Sequence, residues 1–305
     1  MNSLLGPLLI QIVKMFLLMF VGYYLYKQKV FNDETVKQVG NFLLRYVIPS
    51  VLVTSFIREF NMEEFKLLGM AFALSILVIG IGIIVANILF KGDKIIERFA
   101  SIFTNSSFVG IPIIIAMFGQ DAVFYLSAYV AVFIILVWTY GIYMMTSDKK
   151  EVSFKKVITN PNTIAVIVGL ILYCTPITLP TIIEDVFRSI GSMNTPLSMI
   201  VLGTYLAKDS ILKLFVNKKC YLVALTRLII IPLLTILFLK FIPNEYMTLK
   251  LIILVANSVP CANTLAIFAQ MFNRDYTTSA HIISFTTLLS IVSIPLVVVV
   301  AQMFW

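Results

Sequence analysis

Charged residues are scarce in this chain of 305 residues, because only 12% of them are Asp, Glu, Lys or Arg. Apolar residues make up 60%, and the mean hydropathy is +1.00. A soluble globular domain carries roughly 25% charged residues, so this chain has too little polar surface to cover a particle in water. The composition excludes a soluble enzyme, a disordered tail and a secreted disulfide-built domain. Apolar runs of about 20 residues recur from end to end, which predicts an all-α polytopic membrane protein in the lipid bilayer.

Cysteine and histidine are also scarce, with three scattered cysteines and the single histidine His281. The sequence has no CxxC pair and no group of histidines, so we expect neither a metal centre nor a bound cofactor. It also lacks an HExxH motif and an acid pair or Ser-His arrangement within the apolar runs, and we do not expect an enzyme. The formal charge of +8 lies mainly in short loops between apolar runs. It therefore indicates topology rather than nucleic-acid binding.

The apolar runs predict ten membrane spans with short connections and no soluble domain. The predicted spans are 5–25, 37–57, 67–90, 98–118, 122–145, 161–179, 185–207, 219–241, 248–271 and 276–302. The polar segment 146–160 divides the chain into a first half, 1–145, and a second half, 161–305. The first run has no basic segment before it and no small-residue cleavage site, so we expect it to be retained as a helix.

The distribution of Lys and Arg between the loops predicts the orientation. About 15 of them lie in the loops after spans one, three, five, seven and nine, and about five lie in the other loops. Short loops rich in Lys and Arg stay on the cytoplasmic side. We therefore expect a multi-pass protein of the plasma membrane with both termini extracytoplasmic and the 146–160 linker in the cytoplasm.

Five spans in each half predict an internal repeat, and because five is odd the second copy must be inverted. Pro49 and Pro196 are 147 residues apart, and Pro112 and Pro260 are 148 apart. Proline inside a span frees a backbone group that must be satisfied elsewhere. Paired interruptions in the two halves of a transporter indicate its binding site. Spans five and ten do not match in this way.

Spans four and nine each contain a polar stretch broken by proline. A half-helix that begins at such a break presents free N–H groups and the positive end of its dipole, which suits an anion. The alternative is an ordinary proline kink in a packed helix. The predicted binding residues are Asn105, Gly110, Ile111 and Pro112 in span four, and Asn257, Pro260, Cys261, Ala262 and Asn263 in span nine.

Three basic residues lie inside spans, whereas every Asp and Glu lies in a loop or at a span end. An intramembrane charge usually faces a partner or a cavity. We expect Arg45 or Lys14 to balance the charge of an anionic substrate, with Arg227 a weaker candidate; the alternative is that they snorkel to the membrane surface. The lack of acids disfavours a carboxylate proton relay. Sodium coupling through backbone and Ser, Thr or Asn oxygens stays open, as does proton coupling at His281.

The two broken spans resemble the signatures of the auxin efflux carrier family. Span four reads Asn105-Ser-Ser-Phe-Val-Gly-Ile-Pro-Ile-Ile-Ile-Ala-Met-Phe-Gly119, and in span nine Ala256 to Phe272 includes Val259-Pro260 and Ala269-Gln270-Met-Phe-Asn273. Thr104 stands where the plant carriers have a proline, and Cys261 stands where they have a polar residue. With the short linker, these differences resemble a bacterial-type member.

The resemblance implies two inverted five-helix repeats whose broken spans four and nine cross at the membrane centre. Spans one, two, six and seven would form a scaffold and a homodimer, and spans three to five and eight to ten would form a mobile unit. It implies elevator-type alternating access for small organic anions such as auxin, malonate or malate. Two registers of the repeat stay open, in which either Pro112 corresponds to Pro260 or Asn105 corresponds to Cys261.

The predicted function is therefore a secondary transporter of small organic anions. One alternative is a sodium-coupled organic anion symporter of the bile-acid-transporter type. Another is a membrane ligand sensor or channel on the same scaffold.

Overall fold

The computed structural model describes residues 2–208 and 211–305, and these form helices with one isolated two-residue bridge. The α-helices of the first half are α1 (Asn2–Lys27), α2 (Asp33–Phe42), α3 (Ile48–Ser55), α4 (Met62–Leu89), α5 (Ile95–Ile102), α6 (Ile111–Phe118), α7 (Val123–Leu136) and α8 (Ile142–Thr146). The linker contains α9 (Phe154–Ile158). The second half contains α10 (Pro161–Cys174), α11 (Thr181–Ser192), α12 (Asn194–Lys208), α13 (Ile211–Val216), α14 (Lys218–Leu225), α15 (Ile231–Leu239), α16 (Met247–Ser258), α17 (Thr264–Met271) and α18 (Tyr276–Phe304).

Several helices begin earlier than the hydropathy pattern predicts, because side-chain caps add a polar first turn. Asn32 accepts a hydrogen bond from the Thr35 amide, so the second helical region begins at residue 33 instead of 37. Asn61 accepts from the amides of Glu63 and Glu64, so α4 begins at 62 instead of 67. A capped polar turn is stable at a helix end but adds nothing to hydropathy.

Wide π-helical turns precede three Ile-Pro pairs. These turns are Leu43–Val47, Ser106–Gly110 and Thr226–Ile230, and each ends directly before α3, α6 or α15. A proline lacks the N–H of a regular helix and collides with the carbonyl four residues earlier, and a wider turn relieves both problems. The helices through Pro49 and Pro232 therefore continue with a bulge and do not break.

Within the described residues, five helical regions are long and apolar enough to cross a membrane: Leu5–Lys27, Met62–Leu89, Gln120–Thr146, Lys218–Leu239 and Tyr276–Phe304. The other predicted ranges also contain helix, but it is shorter or interrupted. In particular, the 98–118 and 248–271 ranges are each divided in the middle. The structure is that of an all-helical polytopic membrane protein, while ten spans and an inverted repeat stay predictions.

The closest helix packing joins α1 to α12. A methyl group added at Gly22 would overlap the backbone of Ile200, and one added at Gly203 would overlap the backbone of Met19. Small residues let membrane helices approach at backbone distance. Helix α3 packs against α10 and α11, so α1, α3, α10, α11 and α12 contact one another as a group. The remaining long helices, α4, α7 and α18, pack around the two interrupted regions.

Candidate functional site

The two interrupted helices cross where each of them is unwound. The amide of Asn105 donates to the carbonyl of Pro260 at 2.8 Å, and the amide of Ala262 donates to the carbonyl of Phe103 at 2.9 Å. These bonds form an antiparallel bridge that places Thr104 opposite Cys261. Both segments are buried, so the bridge satisfies backbone groups that would otherwise lack partners inside the protein. The register of the predicted repeat stays a prediction.

The N-terminal ends of two half-helices meet at this crossover. One half-helix covers Ser106–Phe118 and begins after Asn105, and the other is α17, which begins after Asn263. The Asn105 side-chain amide donates to the Asn263 side-chain oxygen at 3.3 Å. Each helix start carries unpaired N–H groups and about half a positive elementary charge. Two such ends beside one another favour a bound anion.

Three buried polar atoms at these helix starts have no hydrogen-bond partner among the described residues. They are the hydroxyl oxygens of Ser106 and Thr264 and the side-chain nitrogen of Asn263. Leaving such a group unsatisfied costs about 1–3 kcal/mol. Each of the three can donate a hydrogen bond. The unpartnered groups of the crossover can therefore donate hydrogen bonds to an acceptor such as a carboxylate.

The remaining predicted residues of span four contribute backbone rather than side-chain chemistry. The amides of Val109 and Gly110 both donate to the carbonyl of Asn105, at 3.0 and 3.3 Å. Ile111 and Pro112 form the start of α6, where the wide turn accommodates the proline ring. These residues hold the helix start in place beneath Asn105. In the unwound segment of the second interrupted helix, the Cys261 amide donates to the Thr286 hydroxyl at 3.3 Å.

The C-terminal ends of α5 and α16 meet on the opposite side of the crossover, around the guanidinium of Arg227. Its side chain is fully buried. It donates to the carbonyls of Ser101 at 2.9 Å and Ile102 at 3.3 Å in the last turn of α5. On the other helix it donates to the carbonyl of Asn257 and, at 3.3 Å, to that of Val259.

Arg227 thus caps two helix ends with one charge. A helix C-terminus carries roughly half a negative elementary charge, so two of them offset the guanidinium. This explains how an intramembrane cation is tolerated without an acidic partner. As a partner for an anionic substrate, the sequence ranks Arg227 below Lys14 and Arg45. Its backbone-carbonyl partners cannot be recognised from the sequence of side chains. Its position before the Ile-Pro pair of a fully apolar span was the only available signal.

Asn257 lies in a buried hydrogen-bond network beside Arg227. Its side-chain oxygen accepts from the Tyr129 hydroxyl at 3.0 Å, and its side-chain nitrogen donates to the Thr235 hydroxyl at 2.9 Å. The Tyr129 hydroxyl also lies 3.2 Å from that of Thr104. Both ends of the Asn257 amide are therefore engaged with protein. Tyr129 and Thr235 belong to the site architecture, and sequence reasoning did not select them.

Lys14 and Arg45 lie on the exposed surface of the chain. Lys14 is on a stripe of α1 with the exposed side chains of Ile10, Val13 and Leu17. Neither base makes a hydrogen bond or ion pair within the described part of the chain. The structure brings Asn105, Pro260, Cys261, Ala262 and Asn263 together at the crossover, whereas a role there for the two bases stays a prediction.

The crossover lies against the α1–α12 pair. Helix α6 contacts α1, and the wide turn Ser106–Gly110 contacts α12. The helix start after Asn105 therefore lies at a boundary. On one side is the group that contains α1 and α12, and on the other are the helices around α4, α7 and α18. Such boundaries are where transporters bind substrate.

A family model described as "Membrane transport protein" matches residues 7–298, which is nearly the whole chain. No curated protein matches the chain at a significant level of similarity.

Proposed function

Because the chain belongs to this membrane transport family, the auxin efflux carrier and PIN-like family, we propose that it is a secondary transporter of small organic anions. The family consists of membrane transporters and not of enzymes. The observation that carries the proposal is the group of unpartnered donors at the two helix starts of the crossover. A carboxylate accepts several hydrogen bonds at once and matches the charge of the helix ends.

The proposed carboxylate site consists of Asn105, Ser106, Asn263 and Thr264, with the backbone amides at both helix starts. Among the described residues, the side chains of Asn105 and Asn263 bond only to one another, so an anion can take up the free donor of Asn263 without breaking that bond. Gly110, Ile111 and Pro112 hold one helix start, and Cys261 and Ala262 hold the other. Asn257 supports the crossover through its bonds to Tyr129 and Thr235.

Sodium-coupled symport is the main alternative, and Arg227 argues against it at this site. A sodium ion at a helix crossover is coordinated by backbone carbonyls at helix C-terminal ends. Here four carbonyls at the ends of α5 and α16 already accept hydrogen bonds from Arg227. The guanidinium of Arg227 therefore lies where a sodium ion would be coordinated. An anion leaving the cell along the membrane potential gains about 2.3 kcal/mol per 100 mV and needs no coupling ion.

We propose elevator-type alternating access for the transport step. The group of α1, α3, α10, α11 and α12 would act as the scaffold and as the homodimer contact. The crossover would move with helices α4 to α8 and α14 to α18. The contact of α6 with α1 supports this division, since it is the boundary along which such a movement would slide. Cross-linking α1 to α6 through introduced cysteines should stop transport and leave anion binding intact.

Flux into proteoliposomes tests the proposed function. Radiolabelled malonate, malate and indole-3-acetate are each offered with and without a sodium gradient and with and without a membrane potential. We expect potential-driven movement of at least one anion without sodium. Movement of none of them under any condition would contradict the transporter proposal, whereas sodium-dependent movement would favour the symporter. Binding without flux would favour a sensor, and flux without saturation would favour a channel.

The orientation of the chain is tested separately. Reporter fusions at each terminus and in the 146–160 linker are expected to place both termini outside the cytoplasm and the linker inside, in the plasma membrane. Light scattering of the detergent-purified protein is expected to give the mass of a dimer.

A further inference from the structure

A pair of adjoining cavities lies outside the crossover, between the 90–98 and 139–152 segments. One cavity, of about 240 Å³, is the more polar of the two, and it is lined by Arg98, Ser147, Tyr140 and Tyr143 together with Gly92 and the apolar side chains of Ile95 and Met144. The second, of about 280 Å³, is lined by Thr139, Val152 and the same two tyrosines. Because Tyr140 and Tyr143 line both, the cavities meet at these two rings.

Arg98 brings unused hydrogen-bond donors to the polar cavity. One terminal nitrogen donates to the carbonyl of Gly92 at 2.9 Å, and the other makes a long contact of 3.4 Å with the side-chain oxygen of Asn87. Its Nε is buried and has no partner among the described residues. A guanidinium has five N–H donors, so three of those on Arg98 are unused. This fork is the group that proteins use for phosphate.

The start of α5 adds a second feature that favours an anion. Ile95, the first residue of the helix, lines the polar cavity, and Lys94 at the N-cap position makes no side-chain cap. The first amides of α5 are therefore uncapped beside Arg98, and the helix dipole is positive at this end. The left-handed turn at Gly92, with a φ of 69°, brings its carbonyl to Arg98.

The surrounding loops carry more bases than acids. The bases with exposed side chains are Lys91, Lys94, Lys150, Lys155 and Lys156, and the exposed acids are Asp93, Asp148 and Glu151. Under the predicted topology these loops face the cytoplasm, where the membrane surface is anionic and attracts basic segments. The neighbouring cavity is different in character, since Val152 and the ring faces of the two tyrosines make it largely apolar.

We propose that the paired cavities bind one anionic phospholipid. The phosphate is bound by Arg98 and the start of α5, and an acyl chain enters the apolar cavity beside Val152. A polar and an apolar cavity that meet at two tyrosines match an amphiphile at the membrane surface, where tyrosine itself is enriched. A free phosphate would fill only the polar part. The proposal rests on the membrane location of the chain and is independent of what the crossover carries.

Native mass spectrometry of the full-length protein in detergent tests the proposal. The protein is incubated with equal amounts of phosphatidylglycerol and of the diacylglycerol that carries the same acyl chains but no phosphate. We expect the wild type to retain phosphatidylglycerol in roughly tenfold preference, as for one charge-assisted hydrogen-bond site. Arg98→Gln should lose this preference, and Val152→Trp should lower the retention of both lipids by filling the apolar cavity.

Lys91→Gln is the matched control, because it removes an exposed charge of the same loop that does not line either cavity. It should keep the wild-type preference. Equal loss in Lys91→Gln and Arg98→Gln, or no loss in Arg98→Gln, would overturn the proposal in favour of general surface charge. Displacement of the lipid by soluble glycerol phosphate at equal concentration would show a phosphate-only site. If Arg98→Gln does not fold, unchanged retention in Val152→Trp would still refute the lipid.

Discussion

The two sides of the crossover differ in how their helix ends are satisfied. On the C-terminal side, four carbonyls at the ends of α5 and α16 accept hydrogen bonds from the guanidinium of Arg227. On the N-terminal side, the helix starts after Asn105 and Asn263 keep donors without partners. One side is thus completed by the protein itself, and the other keeps free donors, which we propose an anion takes up. The comparison teaches that broken membrane helices create ends of opposite sign, and that in the described part of this crossover the unpartnered groups lie on the positive side.

Removing the Arg227 side chain should have the largest effect. Arg227→Met leaves the carbonyls at two buried helix ends without partners, which we expect to lower the free energy of unfolding by about 3 kcal/mol or more. Thermal unfolding in detergent measures this loss. Arg227→Lys should recover part of the stability, since it restores the charge but not the planar fork.

Arg45→Met is the control for this prediction, because Arg45 is exposed and lies in an equivalent wide turn before an Ile-Pro pair. It should unfold within about 1 °C of the wild type, as expected for a surface change. Equal stability of Arg227→Met and Arg45→Met would show that the carbonyl side does not depend on the guanidinium.

Changes on the donor side should affect transport and not stability. Asn105→Ala and Asn263→Ala each remove a neutral hydrogen-bonding group from the proposed carboxylate site, and about tenfold weaker anion binding is expected for each. The apparent KM for flux measures this effect. The exposed Asn41→Ala serves as the control and should transport normally. A normal KM in both crossover variants would show that the anion binds elsewhere.

The network beside Arg227 should show an intermediate effect on stability. Tyr129→Phe removes the hydroxyl that donates to Asn257 and contacts Thr104. One buried hydrogen bond contributes about 1 kcal/mol, and the Asn257 side-chain oxygen then keeps only its long contact of 3.5 Å with Arg227, so the melting temperature should fall by a few degrees. Flux at saturating anion should stay near the wild-type value. A loss of flux without a loss of stability would place Tyr129 in the transport path.

The smallest effect is expected far from the crossover, at the ion pair between Asp33 and Lys208. The hydrogen bond from Lys208, at 2.7 Å, lowers the pKa of Asp33, although partial burial acts in the opposite direction. A lowered pKa stabilises the folded state above the unfolded value of about 3.9, and this contribution disappears as the pH falls through the folded pKa. The Asp33 side chain is 73% exposed, so Asp33→Asn should cost less than about 1 kcal/mol at pH 7. The difference in unfolding temperature between the two proteins should narrow as the pH falls below the unfolded pKa of about 3.9.

The sequence allowed the positions of both helix breaks to be predicted, because proline and asparagine interrupt otherwise apolar runs there. Asn105 and Asn263 were identified for the same reason. The carbonyl partners of Arg227 could not be predicted, since a charge bound to backbone carbonyls looks the same in sequence as a charge facing lipid. Lys14 and Arg45 were ranked higher because depth in a span can be read from sequence, whereas the direction of a side chain around the helix cannot.

The span boundaries show a related limit. Hydropathy located the apolar centres of the helices but not the polar first turns capped by Asn32 and Asn61. It also could not distinguish the bulge at Pro49 from the break before Pro112, because both have the same Ile-Pro sequence. The difference arises from contacts with another part of the chain, because the bridge between Thr104 and Cys261 holds the helix open before Pro112.

The most direct test of the two-sided crossover is equilibrium binding of the transported anion to purified protein, measured in sodium buffer and in sodium-free choline buffer. We predict the same dissociation constant in both buffers for the wild type, and binding at least tenfold weaker in both for the Asn105→Ala/Asn263→Ala double variant. Binding that requires sodium would show that Arg227 does not replace a coupling cation. Unchanged binding in the double variant would show that the open helix starts are not the anion site.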